Sequence, residues 1–303
     1  MFDWNYLAQQ LINGLTLGSI YGLIAIGYSL VYGIIGMINF AHGDVYMISA
    51  YLTAIALAIC SLFGIHSVIA SLFITMFFAM SITGLYGWAI ERIAYRPLRH
   101  STRLAPLISA IGMSIVLEEF VRISQGARNQ AVPMLIKGQW HIDSLTLIST
   151  IQMMIIAATI ISVFFLSIII NKTSIGRAMR ATQQDLLMAE ILGISANKII
   201  PLVFVIGSVM AAIAGCLVSL NYGSFNYAIG FIIGIKAFTS AVLGGIGSLP
   251  GAMLGGLLLG MAESLYTGFF ESDYKDVFAF SLLILVLILK PSGLLGTADV
   301  EKV

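Results

Sequence analysis

The chain has 303 residues, of which 59% are hydrophobic and only 10% charged, and its mean hydropathy is +1.00. Soluble domains are about half apolar and a quarter charged, so this composition excludes an ordinary soluble enzyme and points to a polytopic integral membrane protein. The formal net charge of +1 implies neither a nucleic-acid partner nor an acidic ligand.

Met1 to Tyr6 contain Asp3 and no basic n-region, so the segment does not read as a cleaved signal peptide, and the first helix is expected to be retained. Apolar stretches of bilayer length then predict an all-α chain with nine spans, at about 7–33, 45–63, 67–90, 104–123, 150–170, 199–220, 228–243, 252–269 and 277–289. Two glycine-rich breaks leave the count open between eight and ten. The first 91 residues contain no lysine and no arginine, and eight of the fifteen basic residues fall in two short segments, 92–103 and 172–198. Lys and Arg near span ends are retained on the cytoplasmic side. This places both segments inside, the N-terminus outside, and the C-terminus after Lys290 inside with Lys302. Ten basic residues then fall inside and four outside, with Lys236 within a span. The polar stretch 124–149, with Arg128, Lys137 and Asp143, is an external loop long enough to carry a small structure.

The first break runs from Gly33 through Gly36, Asn39, Phe40, Ala41, His42 and Gly43 to Asp44. The second runs through Gly244, Gly245, Gly247, Ser248 and Pro250 to Gly251. Irregular backbone at membrane depth is tolerated only inside protein or along a wet cavity, and paired interrupted segments point to a translocation path and to two repeated halves. Two tight turns at the membrane surface are the alternative. Glycines also recur every four residues, at Gly14, Gly18 and Gly22, at Gly247, Gly251 and Gly255, and at Gly256 and Gly260. This spacing lets helices pack backbone to backbone, either as a static seam or as an interface that rocks. Cys60 and Cys216 lie inside apolar runs and read as small buried helix residues.

Catalytic motifs are absent. There is no G-x-x-x-x-G-K-[ST] loop and no G-x-S-x-G elbow, and His42, His66, His100 and His141 form no H-E-x-x-H pair, so no metal site is expected. Charged residues within spans are costly unless paired or wetted. Glu118 and Glu119 stand near the outer end of the fourth span beside Arg122 one turn on, and are expected to be interfacial and partly paired. Lys236 and Glu263 lie in separate spans, placed either for an interhelical ion pair or for a charged point on the path. Asp44 suits a helix N-cap; with Asn39 and His42 it also suits a polar point on that path.

The segment from Ser174 to Gly193 carries the most pattern. Ile175, Ala178, Met179 and Thr182 share one helix face, with Arg177 and Arg180 away from it. Asp185 is placed to cap a second short helix that Gly193 ends. Two short amphipathic helices in a cytoplasmic loop make either a docking surface or a helical hairpin that packs on the membrane.

These stretches resemble the permease subunits of ABC importers for branched-chain amino acids, in particular the shorter of the two permease types. The resemblance is carried by 18–33, by Ile38 to Asp44, by Gly176 to Thr182 with Leu192 and Gly193, and by 244–251, and so covers nearly the whole chain. It implies one bacterial inner-membrane permease domain over 1–303, in which the loop is the coupling element. Gly176, Arg177, Arg180, Ala181, Asp185, Ala189, Glu190, Leu192 and Gly193 would dock in a groove of a separate ATPase. It further implies a second homologous permease, two ATPases that hold the ATP and Mg, and an extracytoplasmic amino-acid-binding protein landing on the outer loops. No cofactor is expected on this chain. Asn39, Phe40, His42, Gly43, Asp44, Gly244, Gly245 and Gly247 are the candidate substrate path. Leucine, isoleucine and valine are the expected substrates, with urea, short amides and other amino acids moved by related permeases.

Overall fold

The computed structural model describes residues 4–65, 67–99, 101–102, 104–133, 135–136, 138–141 and 147–296. His66, His100, Arg103, Lys137, Asp143 and Lys302, all weighed above, lie outside the described residues. Each predicted span is a helix. They are α1 (Trp4–Ile35), α2 (His42–Leu62), α3 (Val68–Ile90), α4 (Leu104–Gln125) and α5 (Thr150–Lys172), followed by α8 (Ala196–Tyr222), α9 (Ile229–Gly244), α10 (Leu249–Phe269) and α11 (Lys275–Leu289). The loop between α5 and α8 holds α6 (Ser174–Gln184) and α7 (Leu186–Ile191).

Fewer helices than nine are long and apolar enough to cross a bilayer alone. Among the described residues there are six, α1 to α5 and α8, with α3 running on through a π turn and a 3₁₀ turn to Leu98. The α9–α10 pair is bent by 119° at its break and adds at most one more. α11 has 15 residues, about 22 Å of helix at 1.5 Å per residue, against a hydrocarbon core of about 30 Å.

Side-chain size sorts the helices into centre and rim. α1, α2 and α8 are buried nearly all round through their middles, as expected of helices that are apolar on every face. α3 is inverted relative to a soluble helix. Ser71, Thr75, Ala79, Thr83 and Gly87, each four residues apart, face inward, while Phe73, Phe77 and Leu85 are exposed. Lipid is as apolar as leucine, so small residues that admit close packing set which face turns in. α5 also turns its aromatics outward at Phe164 and Phe165, but its inward face is aliphatic, with Ile151, Ile155, Leu166 and Ile170 beside Thr159.

A long glycine seam joins α1 to α10, which run antiparallel. A Cβ on Gly18 would lie 2.7 Å from Leu257 Cα, and one on Gly14 the same distance from Met261 Cα. Gly256 and Gly260 face back onto Gly22 and Gly18. Gly251 and Gly255 instead face α9, against Gly244 and Ser240, and Gly247 lies in the break.

The two ends of the bundle differ. One carries short strands, β1 (Gln130–Ala131), β2 (Gln139–His141), β3 (Leu147–Ser149) and β4 (Ser224–Phe225). β2 and β3 form a hairpin, with Trp140 opposite Ile148, and β1 pairs antiparallel with β4. The 124–149 loop therefore does hold a small structure. At this strand end Asn13 of α1 accepts from Gln152 of α5 at 3.0 Å, and Ser264 of α10 donates to the Gln10 carbonyl at 2.7 Å. The opposite end carries α6 and α7, the α9–α10 break, and the chain after α11, where Leu294 and Leu295 donate to Leu243 and Gly244 carbonyls at 2.9 Å. The N-terminal helix thus begins at the end opposite the loop, and 290–296 lie on the loop side.

Candidate functional site

The loop is built as two capped helices. The Thr173 hydroxyl accepts from the Gly176 N–H at 3.2 Å to start α6, and the Asp185 carboxylate accepts from the Met188 N–H at 3.0 Å to start α7. Gly193, at φ +85°, follows the end of α7 in the left-handed conformation that favours glycine. The inward face is rotated from the expected one. Gly176, Met179 and Thr182 are buried, whereas Ile175 is exposed, because Gly176 lies directly against the carbonyls of Ile169 and Ile170 where no larger residue fits. Arg180 donates to the Ile170 carbonyl at the C-terminal end of α5, a favourable place for a cation. Of the predicted loop residues, Gly176 and Ala189 are therefore buried supports and Ala181 is half-buried. Arg177, Asp185, Glu190, Leu192 and Gly193 are exposed, joined by Leu187, Met188 and Ile191.

α6 touches the ends of both breaks. A Cβ on Gly33, in the last turn of α1, would lie 3.1 Å from the Gln183 amide nitrogen, and one on Gly247 would lie 3.8 Å from it. The Ser29 hydroxyl accepts from the Gly247 N–H at 2.8 Å. Gly245 and Gly247 sit at φ +104° and +89°, and Ser248 caps α10 by accepting from the Gly251 N–H at 3.2 Å. A cavity of about 490 Å³ opens here between Leu30, Leu166, Met179, Gln183 and Pro250. The second break is thus a sharp turn of 119° at the loop end, with Gly244 and Gly245 buried and Gly247 and Ser248 half-buried.

The first break is different, because it carries its polar residues into the protein. Asn39, His42, Gly43 and Asp44 are buried and Phe40 is half-buried. Ala41, not Asp44, is the N-cap of α2; Asp44 lies in the first turn and accepts from the Ser114 hydroxyl of α4. The Tyr95 hydroxyl meets Asn39 Oδ1 at 3.3 Å and donates to the Ile38 carbonyl at 3.1 Å. The ring of His42 stands edge-on to Tyr28 at 4.8 Å, and Gly43 packs on Gly230 and Gly234 of α9. Phe40 alone of these five lines the adjoining apolar cavity of about 210 Å³. The eight predicted path residues therefore form two groups, one buried against α1, α3, α4 and α9, the other at the loop end.

A third feature lies at the strand end. A cavity of about 860 Å³ is walled by polar groups that include Gln10, Asn13, Gln152 and Asn221, and by Leu17, Ile20, Ile229 and Ile233. At its floor Lys236 Nζ pairs with Glu263 Oε1 at 2.6 Å and with Asp276 Oδ1 at 2.6 Å. The Tyr21 hydroxyl donates to the other Glu263 oxygen at 3.0 Å. The interhelical pair expected from sequence is present. Asp276 was not foreseen, since it stands one residue before the predicted span at 277–289 and on a third helix. A carboxylate beside the end of a span was the only local signal. Arg122 pairs with Glu119 at 2.5 Å on the exposed surface of α4.

A sequence profile described as "branched-chain amino acid transport system / permease component" matches residues 10–287. The chain is 52% identical to the high-affinity branched-chain amino acid transport system permease protein BraD of Pseudomonas aeruginosa, over 99% of each chain. It is equally 52% identical to the corresponding LivH proteins of Escherichia coli and Salmonella typhimurium, over 98% of each chain. With a family match across nearly its whole length and the helices of a multi-span membrane protein, this chain belongs to the permease component family of branched-chain amino acid transport systems.

Proposed function

We propose that the chain is one membrane-spanning permease subunit of an ATP-driven importer that moves leucine, isoleucine and valine across the bacterial inner membrane. Its partners would be a second homologous permease, two ATPase subunits that carry ATP and Mg, and an extracytoplasmic amino-acid-binding protein. The observation that carries this is the reach of α6. One short helix, capped on the loop side, lies against Gly33 at the end of α1 and Gly247 in the α9–α10 break. An ATPase groove gripping the exposed apolar and charged residues of α6 and α7 would move α6 on closing. Gln183, Ser29 and the Arg180–Ile170 contact would pass that displacement to α1, α5 and α10, and so open one end of the bundle as the other shuts.

The basic residues support placing the loop end inside. Arg92, Arg96, Arg99, Lys172, Arg177, Arg180, Lys198 and Lys290 are there, against Arg122, Arg128 and Lys275 at the strand end. The strand end then faces outward and receives the binding protein. The buried cluster of Asn39, His42 and Asp44, where His42 Nε2 and Asp44 Oδ1 lack hydrogen-bond partners among the described residues, would line the middle of the route.

The test is uptake by the complex reconstituted in vesicles with its binding protein. Labelled leucine should enter only with ATP and stop on adding vanadate. Uptake driven by an ion gradient without ATP would replace this reading with a secondary transporter, and preference for urea or glutamate would replace the substrate.

A further inference from the structure

The charged floor of the strand-end cavity has more groups than a structural ion pair needs. Lys236 and Glu263 already neutralise one another, and both side chains are about 95% buried. Asp276 adds a second carboxylate to the same ammonium, and its side chain remains 39% exposed. Lys275 also lines the cavity and makes no ion pair with the three among the described residues. The cavity therefore presents both signs of charge at one end, with Leu17, Ile20, Ile229 and Ile233 along its wall. At about 860 Å³ it falls within the range of small-molecule sites, about 300–1,000 Å³.

We propose that this floor receives the zwitterionic head of an aliphatic α-amino acid, Asp276 taking its ammonium and Lys236 its carboxylate, while Glu263 and Tyr21 hold Lys236 in place. The proposal rests on the transport reading above and adds the site and its chemistry to it. A lysine inside a membrane protein is expensive to leave unpaired. Here it is never unpaired. Before binding, Asp276 occupies it; on binding, the incoming carboxylate takes the place of Asp276, whose freed oxygens meet the incoming ammonium. Two charge-assisted hydrogen bonds replace an ion pair in which Asp276 Oδ1 makes no hydrogen bond among the described residues. The branched side chain would lie on the Ile20 and Ile233 wall. A ligand lacking either charge breaks the Lys236–Asp276 pair without completing the exchange.

The test uses the purified complex of permeases and ATPases in nanodiscs, without its binding protein, probed with leucine by saturation-transfer NMR. Leucine should give a saturable signal that isoleucine and valine displace. Neither 4-methylpentanoate, which lacks the ammonium, nor 3-methylbutylamine, which lacks the carboxylate, should compete. Asp276→Asn should weaken leucine binding about tenfold, as expected for one lost charge-assisted contact, and Asp276→Glu should restore most of it. Lys236→Gln should abolish the signal, but it removes a buried charge from the fold, so Asp276→Asn on half-exposed Asp276 is decisive. Absence of a wild-type signal overturns the proposal. So does competition by either analogue equal to that of leucine, or a lowered melting temperature of D276N with unchanged leucine affinity. Failure of the parent reading shows separately, as absence of ATP-dependent leucine uptake by the wild-type complex with its binding protein.

Discussion

The two ends of the α9–α10 pair are built from opposite materials. At the strand end, helices are joined by charge, with Lys236 of α9 held between Glu263 of α10 and Asp276 of α11. At the loop end, the same two helices meet through Gly244, Gly247 and Gly251, with Ser29 and Gln183 as uncharged neighbours. Charge fixes orientation and discriminates between ligands. Bare backbone lets two helices approach closely and change angle without expelling side chains. On the functions proposed above, this is a division of labour within a single hairpin: recognition at one end, transmission of motion at the other, with the α1–α10 seam joining the two ends.

The largest effect should come from breaking that seam. Gly18→Leu adds four heavy atoms where a single Cβ would already lie 2.7 Å from Leu257 Cα. Folded permease should be lost from detergent extracts, whereas Gly18→Ala should survive with a lower melting temperature, at a cost of about 1–3 kcal/mol. Normal yield and melting of the leucine variant would show that the seam is not tight.

Freezing one end should separate the two functions. Cysteines at Gly33 and Gln183, bridged by a short bifunctional thiol reagent, should stop leucine uptake by the reconstituted complex while leucine still binds at the strand end. The native Cys60 and Cys216 are buried and should not react. Loss of binding together with uptake would show that the ends are not independent.

A milder change tests the link from α1 to the break. Ser29→Ala removes the acceptor for the Gly247 N–H, leaving a backbone donor unsatisfied at about 1–3 kcal/mol. Uptake should fall a few-fold with leucine affinity unchanged, as measured by initial rates and by the NMR signal. The smallest effect is expected at Arg122 and Glu119, exposed on the rim. Glu119→Gln should leave both melting temperature and uptake at wild-type values, because solvent screens an exposed pair. A clear loss there would place α4 in an interface with a partner.

Much of this arrangement was legible from residues alone where the cause is local. Apolar length located the nine helices predicted as spans, Asp185 and Gly193 marked α7, and Gly14, Gly18, Gly22, Gly256 and Gly260 marked the faces of α1 and α10 that pack together. What escaped was of two kinds. Asp44 was read as a cap because it precedes an apolar run, but the chain turns earlier, at Ala41, and Asp44 meets Ser114 seventy positions away. The face of α6 was read from apolar spacing, which favours Ile175, while the structure turns Gly176 inward. Contact with α5 leaves room there for a hydrogen and nothing larger.

By itself the sequence determined the class of protein, the positions of its helices, the relative sidedness of its ends and the existence of a capped helical loop between α5 and α8. All follow from bilayer thickness, charge placement and capping, which act over one segment at a time. Only the tertiary structure decided that Lys236 has two carboxylate partners, that α6 touches both breaks, and that the predicted path residues divide into two groups. Those facts depend on which helices pack together. Lipid makes most apolar faces equivalent, so the choice rests on close fits between small residues far apart in the chain.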